Sequence, residues 1–414
     1  MSALLGLSKP LAALRGADPL RVRFLALLTA GHMINHWHQS IYPVVVPTIK
    51  AALGLTDVEV GAMSSARQLV STVLNLPIGM LADALGRQRG LILGSSVVLG
   101  GLAYAILGTA SGYGWALLGS VLIGLSISAW HPVALSSIAM TFADRRGAAL
   151  AIHGTGATLM DSVTPLIVGA LLAVFAWQGV LGFQLLPALV VALVMWRALA
   201  PVYRGNDQPA PRTAGIGAQM RDIGSLLANP AWLGITGTAA LWSAGRIIVL
   251  TFLPIYLQED LGYSTVVLGF YIALLNVLGI ASQTILGLLS DRFGRKAVLL
   301  PSYLLLGVLY VLLAYAPPGW ALGAVIAAIG IFFYTLANVS NAAMFDVVET
   351  KVAASAQGLS SMVSSLLTLP APIVAGLMVG AYGIGSTFLL SGALMFTGAL
   401  VMLPLRMYRG RRAA

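Results

Sequence analysis

Cysteine is absent from the chain, which excludes disulfides, thiolate metal centres and cysteine nucleophiles. Charge is scarce as well. Asp, Glu, Lys and Arg make up 9% of 414 residues, against about 25% in a soluble domain. Acidic residues are the scarcest, 13 against 23 basic ones. There is no G-x-x-x-x-G-K-[ST] phosphate loop, and no polar stretch is long enough to fold an ATPase domain. Any work the protein does must therefore draw on an ion gradient or on the gradient of its own ligand, and no cofactor is expected.

What is present in abundance is apolar sequence. Hydrophobic residues make up 58% of the chain and the mean hydropathy is +0.92, the composition of an integral membrane protein. Apolar runs of about 20 residues or more, each long enough to cross about 30 Å as a helix, recur twelve times. They fall at roughly 24–49, 58–82, 90–110, 115–142, 148–176, 180–200, 231–257, 264–289, 297–315, 320–345, 355–380 and 384–405. The formal charge of +10 is a matter of topology and does not point to nucleic acid. Of the 23 Lys and Arg, 20 lie in the N-terminal segment, the even-to-odd loops and the C-terminal tail. Lys50 alone lies on the other side, and Arg67 and Arg246 fall within spans. This positive-inside bias puts both termini in the cytoplasm. Arg15, Arg21 and Arg23 precede a first span too long for a signal-peptide core, so that span is expected to stay. Residues 1–16 are expected along the membrane surface.

A polar stretch at 201–229, with Pro201, Pro209 and Pro211, divides the chain into a bundle at 1–200 and a bundle at 230–414, six spans in each. The two halves share a sequence. GMLADALGRQR at 79–89 returns as GLLSDRFGRKA at 287–297, which places Gly79 on Gly287, Asp83 on Asp291, Gly86 on Gly294 and Arg87 on Arg295. The same offset of 208 carries Gly61 onto Gly269, Gln68 onto Asn276 and Asn75 onto Gln283. A loop can repeat by chance; a loop together with its helix in one register points to duplication, a common origin of transporters. Gly79 and Gly287 are expected to allow close backbone approach and Gly86 and Gly294 a tight turn. Asp83 and Asp291 are expected to pair with loop arginines or to accept from helix N-termini.

The motif G-x-L-x-D-x-x-G-R between spans two and three, repeated between spans eight and nine, resembles the loop signature of the major facilitator superfamily. The resemblance covers essentially the whole chain. It implies an all-α fold of two pseudo-symmetric six-helix bundles around a central cavity that opens alternately to either side, with spans one, four, seven and ten lining it. It also implies that the two loops act as a conformational latch and do not touch substrate. Within that superfamily, His32-Met33-Ile34-Asn35 with Gln39-Ser40 in span one, and Trp130-His131-Pro132 in span four, are similar to fosmidomycin-resistance-type efflux proteins. In their pattern an acidic residue follows the Asn and a Glu follows the His-Pro. His36 and Val133 stand there in this chain, and Asp161 is expected to supply the missing negative charge.

Asp161 is the one carboxylate in the middle of an apolar span; the other twelve lie in or beside loops. An ionisable group at that depth is costly and usually faces a wet cavity with work to do. All five histidines lie in the first half. His32 and His36, four residues apart, share a helical face with Asn35 and Gln39, while His38 points away from it. His131 precedes Pro132, whose missing N–H loosens the helix there. Asp161 is expected to carry a proton, with His36 or His131 as its partner. Substrate is expected to meet His32, Asn35, Gln39, Trp130, Trp242, Arg246, Tyr334 and Asn338. Arg246 has two candidate roles, anchor for an anionic group or counter-ion to Asp161. Arg67 is a candidate for a structural pair within its own half. His38 and His153 are expected to bond neighbouring helices or to sit at headgroup level, and Ser360, Ser361, Ser364 and Ser365 to allow close helix packing. His32-x-x-x-His36 has the spacing of a helical metal site, to be completed by Asp161 or His131. Without cysteine or a second carboxylate, no metal site is expected.

The reading that follows is a proton-coupled secondary transporter of the cytoplasmic membrane, bacterial, monomeric and in contact with lipid. It exports a small amphipathic or anionic solute and binds no nucleic acid. The rivals are proton-driven uptake of a sugar or carboxylate, transport of a transition metal, a membrane enzyme and a binding-only sensor.

Overall fold

The computed structural model describes residues 18–204, 224–333, 335–349, 353–405 and 407. Among these the chain is all-helical, with no strand. The first half folds into α1 (Pro19–Leu53), α2 (Asp57–Ala84), α3 (Arg89–Gly108), α4 (Tyr113–Thr141), α5 (Arg146–Val174), the short α6 (Trp177–Gly182) and α7 (Leu185–Arg204). The second half folds into α8 (Pro230–Ile255), α9 (Thr265–Phe293), α10 (Arg295–Tyr315), α11 (Trp320–Phe333), α12 (Thr335–Phe345), α13 (Ala353–Thr368), α14 (Ala371–Tyr382) and α15 (Gly385–Met402). Among the described residues ten helical stretches are long and apolar enough to cross a membrane. The two that fall outside that count, α1 and α2, have the length, but their polar side chains lower their apolarity.

Local sequence sets the helix ends. Asp18 accepts from the backbone N–H of Leu20 ahead of Pro19 and so caps α1; proline at this position gives up only an N–H that has no partner within the helix. Gly54, with φ 63°, closes the same helix in the left-handed conformation. Thr56 and Glu59 form a reciprocal capping box at the head of α2. Asn229 repeats the Asp18 device before Pro230, accepting from Ala231 and Trp232.

Contacts divide the chain into two compact units. The first holds the described residues up to Leu55, Ala66 to the end of α7, and Gly262–Ala273. The second holds Thr56–Ser65, α8 through Leu261, and Leu274 onward. Each half thus lends one short segment to the other half's unit. Within the first unit α1 packs chiefly on α5, and α3 on α4 and α7. Trp130, Phe24, Phe142, Leu28 and Leu93 are fully enclosed between them. Within the second unit α15 packs on α8 and α10, and α13 on α8. The stripe Leu186, Leu189, Val190, Leu193 and Val194 on α7 stays exposed, the outward face that a helix turns to lipid.

The lent segments are held by backbone-to-backbone crossings at glycine. A Cβ on Gly269 would strike the carbonyl of Pro165, and one on Gly169 the carbonyl of Thr265. Thr265 Oγ1 also donates to that Gly169 carbonyl at 2.9 Å. In the second unit Gly61 meets the backbone of Pro372, and Gly376 that of Asp57. Gly61 and Gly269 are repeat partners, so the duplicated sequence makes the same kind of crossing twice.

The repeated loops come out unequal. Gly294 has φ 99° and needs glycine, whereas Gly86 has no positive φ and begins a single 3-10 turn at Gly86–Gln88. Gly79 and Gly287 depart from expectation. A Cβ on Gly79 would meet Pro132 at an ordinary 3.6 Å, and one on Gly287 would meet nothing within 4 Å. Close approach therefore does not require glycine at either place.

Candidate functional site

The polar face of α1 meets α5 in the first unit. His36 Nδ1 donates to Asp161 Oδ1 at 2.9 Å, and Ser40 Oγ donates to the same oxygen at 2.8 Å. One turn before His36, His32 Nδ1 donates to the backbone carbonyl of His153 at 3.0 Å. The steps from His32 to Ser40 and from His153 to Asp161 are both eight residues and run in the same order. α1 and α5 are therefore parallel, as the first and fifth members of an alternating set must be. The Asp161 and His36 side chains are mostly enclosed, with 13% and 17% of their surface exposed.

His131 joins from α4. Pro132 leaves the carbonyl of Ser128 without its helical N–H, and the His131 ring turns back to donate from Nδ1 to Ile127 at 3.1 Å. Its ring lies 5.5 Å from that of His32 and 5.7 Å from that of His36. His153 stacks on His32 at 4.0 Å with the planes 5° apart, and Trp130 lies parallel to His32 at 6.4 Å. Four imidazoles and one carboxylate are thus gathered in one place. The sequence leads one to expect His153 in helix bonding or at headgroup level; its ring instead sits in the cluster, and its backbone carbonyl accepts from His32. His38 lies apart, buried beside Tyr104, which donates to its backbone carbonyl. Gln39 Nε2 donates to Asn35 Oδ1 at 2.8 Å. Trp130 is fully buried and fixes the floor under His32.

The second unit has no such cluster at the matching register. Adding 208 to His32, His36, His131 and Asp161 gives Ala240, Ala244, Val339 and Leu369. There α8 and α13 are joined by hydroxyls, with Thr236 to Ser360 at 3.0 Å and Ser364 to the Thr236 carbonyl at 3.3 Å. Ser360 and Ser364 of the serine run thus tie α13 to α8. The carboxylate and the imidazoles thus belong to the first copy of the repeat, and the second copy carries Arg246 within α8 instead.

The loop motif of the second copy is a charge relay. Arg295 donates to Asp291, to Asp346 at 3.0 Å and to Ser290 at 2.8 Å. In the first copy the Asp83 and Arg87 side chains lie outside the described residues. The model of the Major Facilitator Superfamily matches residues 28–369 and 277–413. The chain belongs to that superfamily. It is a multi-pass membrane protein of a transporter family. The fosmidomycin resistance protein of Escherichia coli is 26% identical over 298 residues, 72% of each chain. An uncharacterised transporter of this superfamily from Bacillus subtilis is 25% identical over 385 residues, 92% of each chain. Among solved structures, a bacterial homologue of the human lysosomal transporter Spinster superposes with a TM-score of 0.75 at 18% identity, over 94% of this chain and 97% of that one. A D-xylose–proton symporter gives 0.72 at 15% identity, over 92% and 97%. At those identities the two structures establish the major facilitator fold alone.

The other residues expected to meet substrate in this facilitator protein lie in the second unit. The Arg246 guanidinium sits 4.5 Å over the Phe333 ring and 5.7 Å from Trp242, contacts that hold a cation in an apolar span. Asn338 is exposed and donates to Gln283 at 2.9 Å. Tyr334 lies outside the described residues. In the first unit, Arg67 lies 4.5 Å over Tyr42, in the manner of Arg246 over Phe333.

Several pairings are set by packing alone: Ser40 on Asp161, Asp346 on Arg295, and Arg21 with Arg145 on Asp144. Hydrogen bonds from Arg21 and then Arg145 hold the exposed Asp144 carboxyl at about 2, below its ordinary 3.8. A carboxyl lowered by folding stabilises above its ordinary value and loses that contribution as pH falls from about 4 towards about 2. This ion cluster therefore stays intact across the neutral range. The pH–rate profiles of wild type and Asp144→Asn should superimpose from about pH 5 to pH 8 after scaling, since the group is already ionised throughout. Profiles of different shape would contradict this.

Proposed function

We propose that the protein is a proton-linked secondary transporter with twelve spans and cytoplasmic termini in a bacterial inner membrane. It works as a monomer, exports a small amphipathic or anionic organic solute by alternating access, and is not an enzyme. The observation that carries this reading is the Asp161–His36–Ser40 cluster, a carboxylate inside a helix otherwise built for lipid. A carboxylate there is stable as an anion when donors or a nearby cation satisfy it and as a neutral acid when it is dry. Alternate hydration from the two sides would load and release its proton, with His36 as the immediate partner and His131 behind it.

Within the first bundle the candidate substrate contacts are His32, Asn35 and Gln39, with the enclosed Trp130 behind His32; within the second, taken by itself, they are Trp242, Arg246 and Asn338. Arg246 anchors an anionic group in this reading. The loops around Gly79, Asp83, Gly86 and Arg87, and around Gly287, Asp291, Gly294 and Arg295, serve as latches. Export follows the similarity to the fosmidomycin resistance protein. The rival is proton-driven uptake of a sugar or carboxylate.

The test is a pH jump on proteoliposomes against a panel of organic anions, amphipathic compounds and sugars. A transmembrane pH difference should drive at least one solute uphill, and collapsing it with a protonophore should stop the movement. The direction of flow relative to the proton gradient separates export from uptake. Flux indifferent to the pH difference for every transported solute would end the proton-linked reading. Conversion of a solute by detergent-solubilised protein would favour the enzyme.

A further inference from the structure

We propose that His32, His36 and His131 form a binding site for a divalent first-row transition metal, with zinc(II) and cobalt(II) the ions whose geometry it fits. The spacing of His32 and His36 suits a metal, the lack of cysteine and of a second carboxylate speaks against one, and packing adds His131 to the pair. One ring nitrogen from each of the three lies within 4.8 Å of the others. A tetrahedral zinc site with bonds of about 2.0 Å holds its ligands about 3.3 Å apart. The packed rings thus already bring one nitrogen from each histidine to within about 1.5 Å of that spacing.

The hydrogen bonds decide which nitrogen is available. In all three residues Nδ1 faces an oxygen acceptor: the carbonyl of His153, the Asp161 carboxylate and the carbonyl of Ile127. Each Nδ1 therefore carries the proton, and each Nε2 keeps its lone pair for coordination. Among the described residues no protein group bonds Nε2 in any of the three. Histidines that bind metals show this same arrangement, with the second nitrogen donating to a carboxylate or carbonyl that fixes the tautomer and the ring plane. His36 and Asp161 supply the carboxylate version, and Ser40 steadies the carboxylate. The His153 ring stacked on His32 holds a second ligand in orientation.

Three imidazoles without thiolate suit a borderline ion such as zinc over a soft one, and the absence of a carboxylate cage disfavours magnesium or calcium. A tripod of three histidines leaves a fourth position open. The negative charge of Asp161, one hydrogen bond from the ligand set, offsets part of the cost of a dication at this depth. The inference does not rest on proton-linked transport. Binding is measured in detergent with no gradient, so either result can fail while the other stands.

The experiment uses the full chain, purified without a histidine tag, stripped by a chelator and titrated with cobalt(II). Wild type should bind one equivalent, develop the visible absorption of four-coordinate cobalt, and lose it when zinc(II) is added. His32→Ala and His131→Ala should each abolish that band, and His38→Ala should leave it unchanged. Asp161→Asn should weaken binding about 10- to 100-fold by loosening the orientation of His36. X-ray absorption of the zinc-loaded wild type should show three imidazoles at about 2.0 Å, a reading that needs no variant to fold. The proposal is overturned if wild type shows no saturable one-to-one binding. It also falls if both histidine variants bind as wild type does, or if zinc reports fewer than three imidazoles.

Discussion

Replacing Asp161 with Asn should stop solute accumulation driven by a pH difference while leaving exchange at equilibrium in place. The amide keeps the shape and can still accept from Ser40 and His36, at the distances of 2.8 and 2.9 Å now seen for the carboxylate. What it loses is the ability to change charge. A carrier that must pick up a proton on one side and release it on the other cannot run that half-cycle, so uphill flux should be lost. Exchange of labelled for unlabelled solute needs no net proton movement and should persist. The combination matters, because a collapsed fold removes both activities and a bystander removes neither. Undiminished accumulation with the wild-type pH dependence would eliminate Asp161 as the carrier.

The second large effect concerns the fold. Gly269→Val should destabilise the protein by about 1–3 kcal/mol or more, because its Cβ has a backbone carbonyl in its way and not a flexible side-chain tip. At about 2–4 °C per kcal/mol for a unit of this size, the melting temperature in detergent should fall by several degrees. Gly61→Val should do the same through Pro372. Gly154→Ala is the control of opposite sign. It lies inside α5 with nothing within 4 Å of the added methyl, and removing a helical glycine gains up to about 1 kcal/mol. Equal melting temperatures for Gly269→Val and Gly154→Ala would show that the crossings carry no load.

The helical plan was legible in the sequence because hydropathy and loop charge are local. Each apolar stretch announces itself without its neighbours, and an offset shared by a loop and its helix exposes the duplication. The chemical identity of the site was legible for the same reason: Asp161 and the span-one histidines are conspicuous against apolar surroundings. Their pairings were not legible. Nothing in the chain distinguishes His36 from His131 as the partner of Asp161; that follows from the register of α1 on α5. The ring of His153 is one turn of register from any other role. Ser40 stands in the span-one motif, but its pairing with Asp161, like that of Asp346 with Arg295, follows only from what packs against it. Gly79 and Gly287 show a related limit: residue type alone suggests tight approach there, whereas a facing backbone runs within reach at Gly61 and Gly269.

The lending of segments between units sets a timetable for synthesis. Gly61 leaves the ribosome about 310 residues before Pro372, against which it finally rests. At a synthesis rate of about 5–20 residues per second that is a wait of roughly 15–60 s. Throughout that interval the head of α2 is a finished helix with its partner not yet made. The nascent first half is therefore born incomplete at a known address, and whatever attends membrane insertion must shelter that helix end until the last quarter of the message has been read.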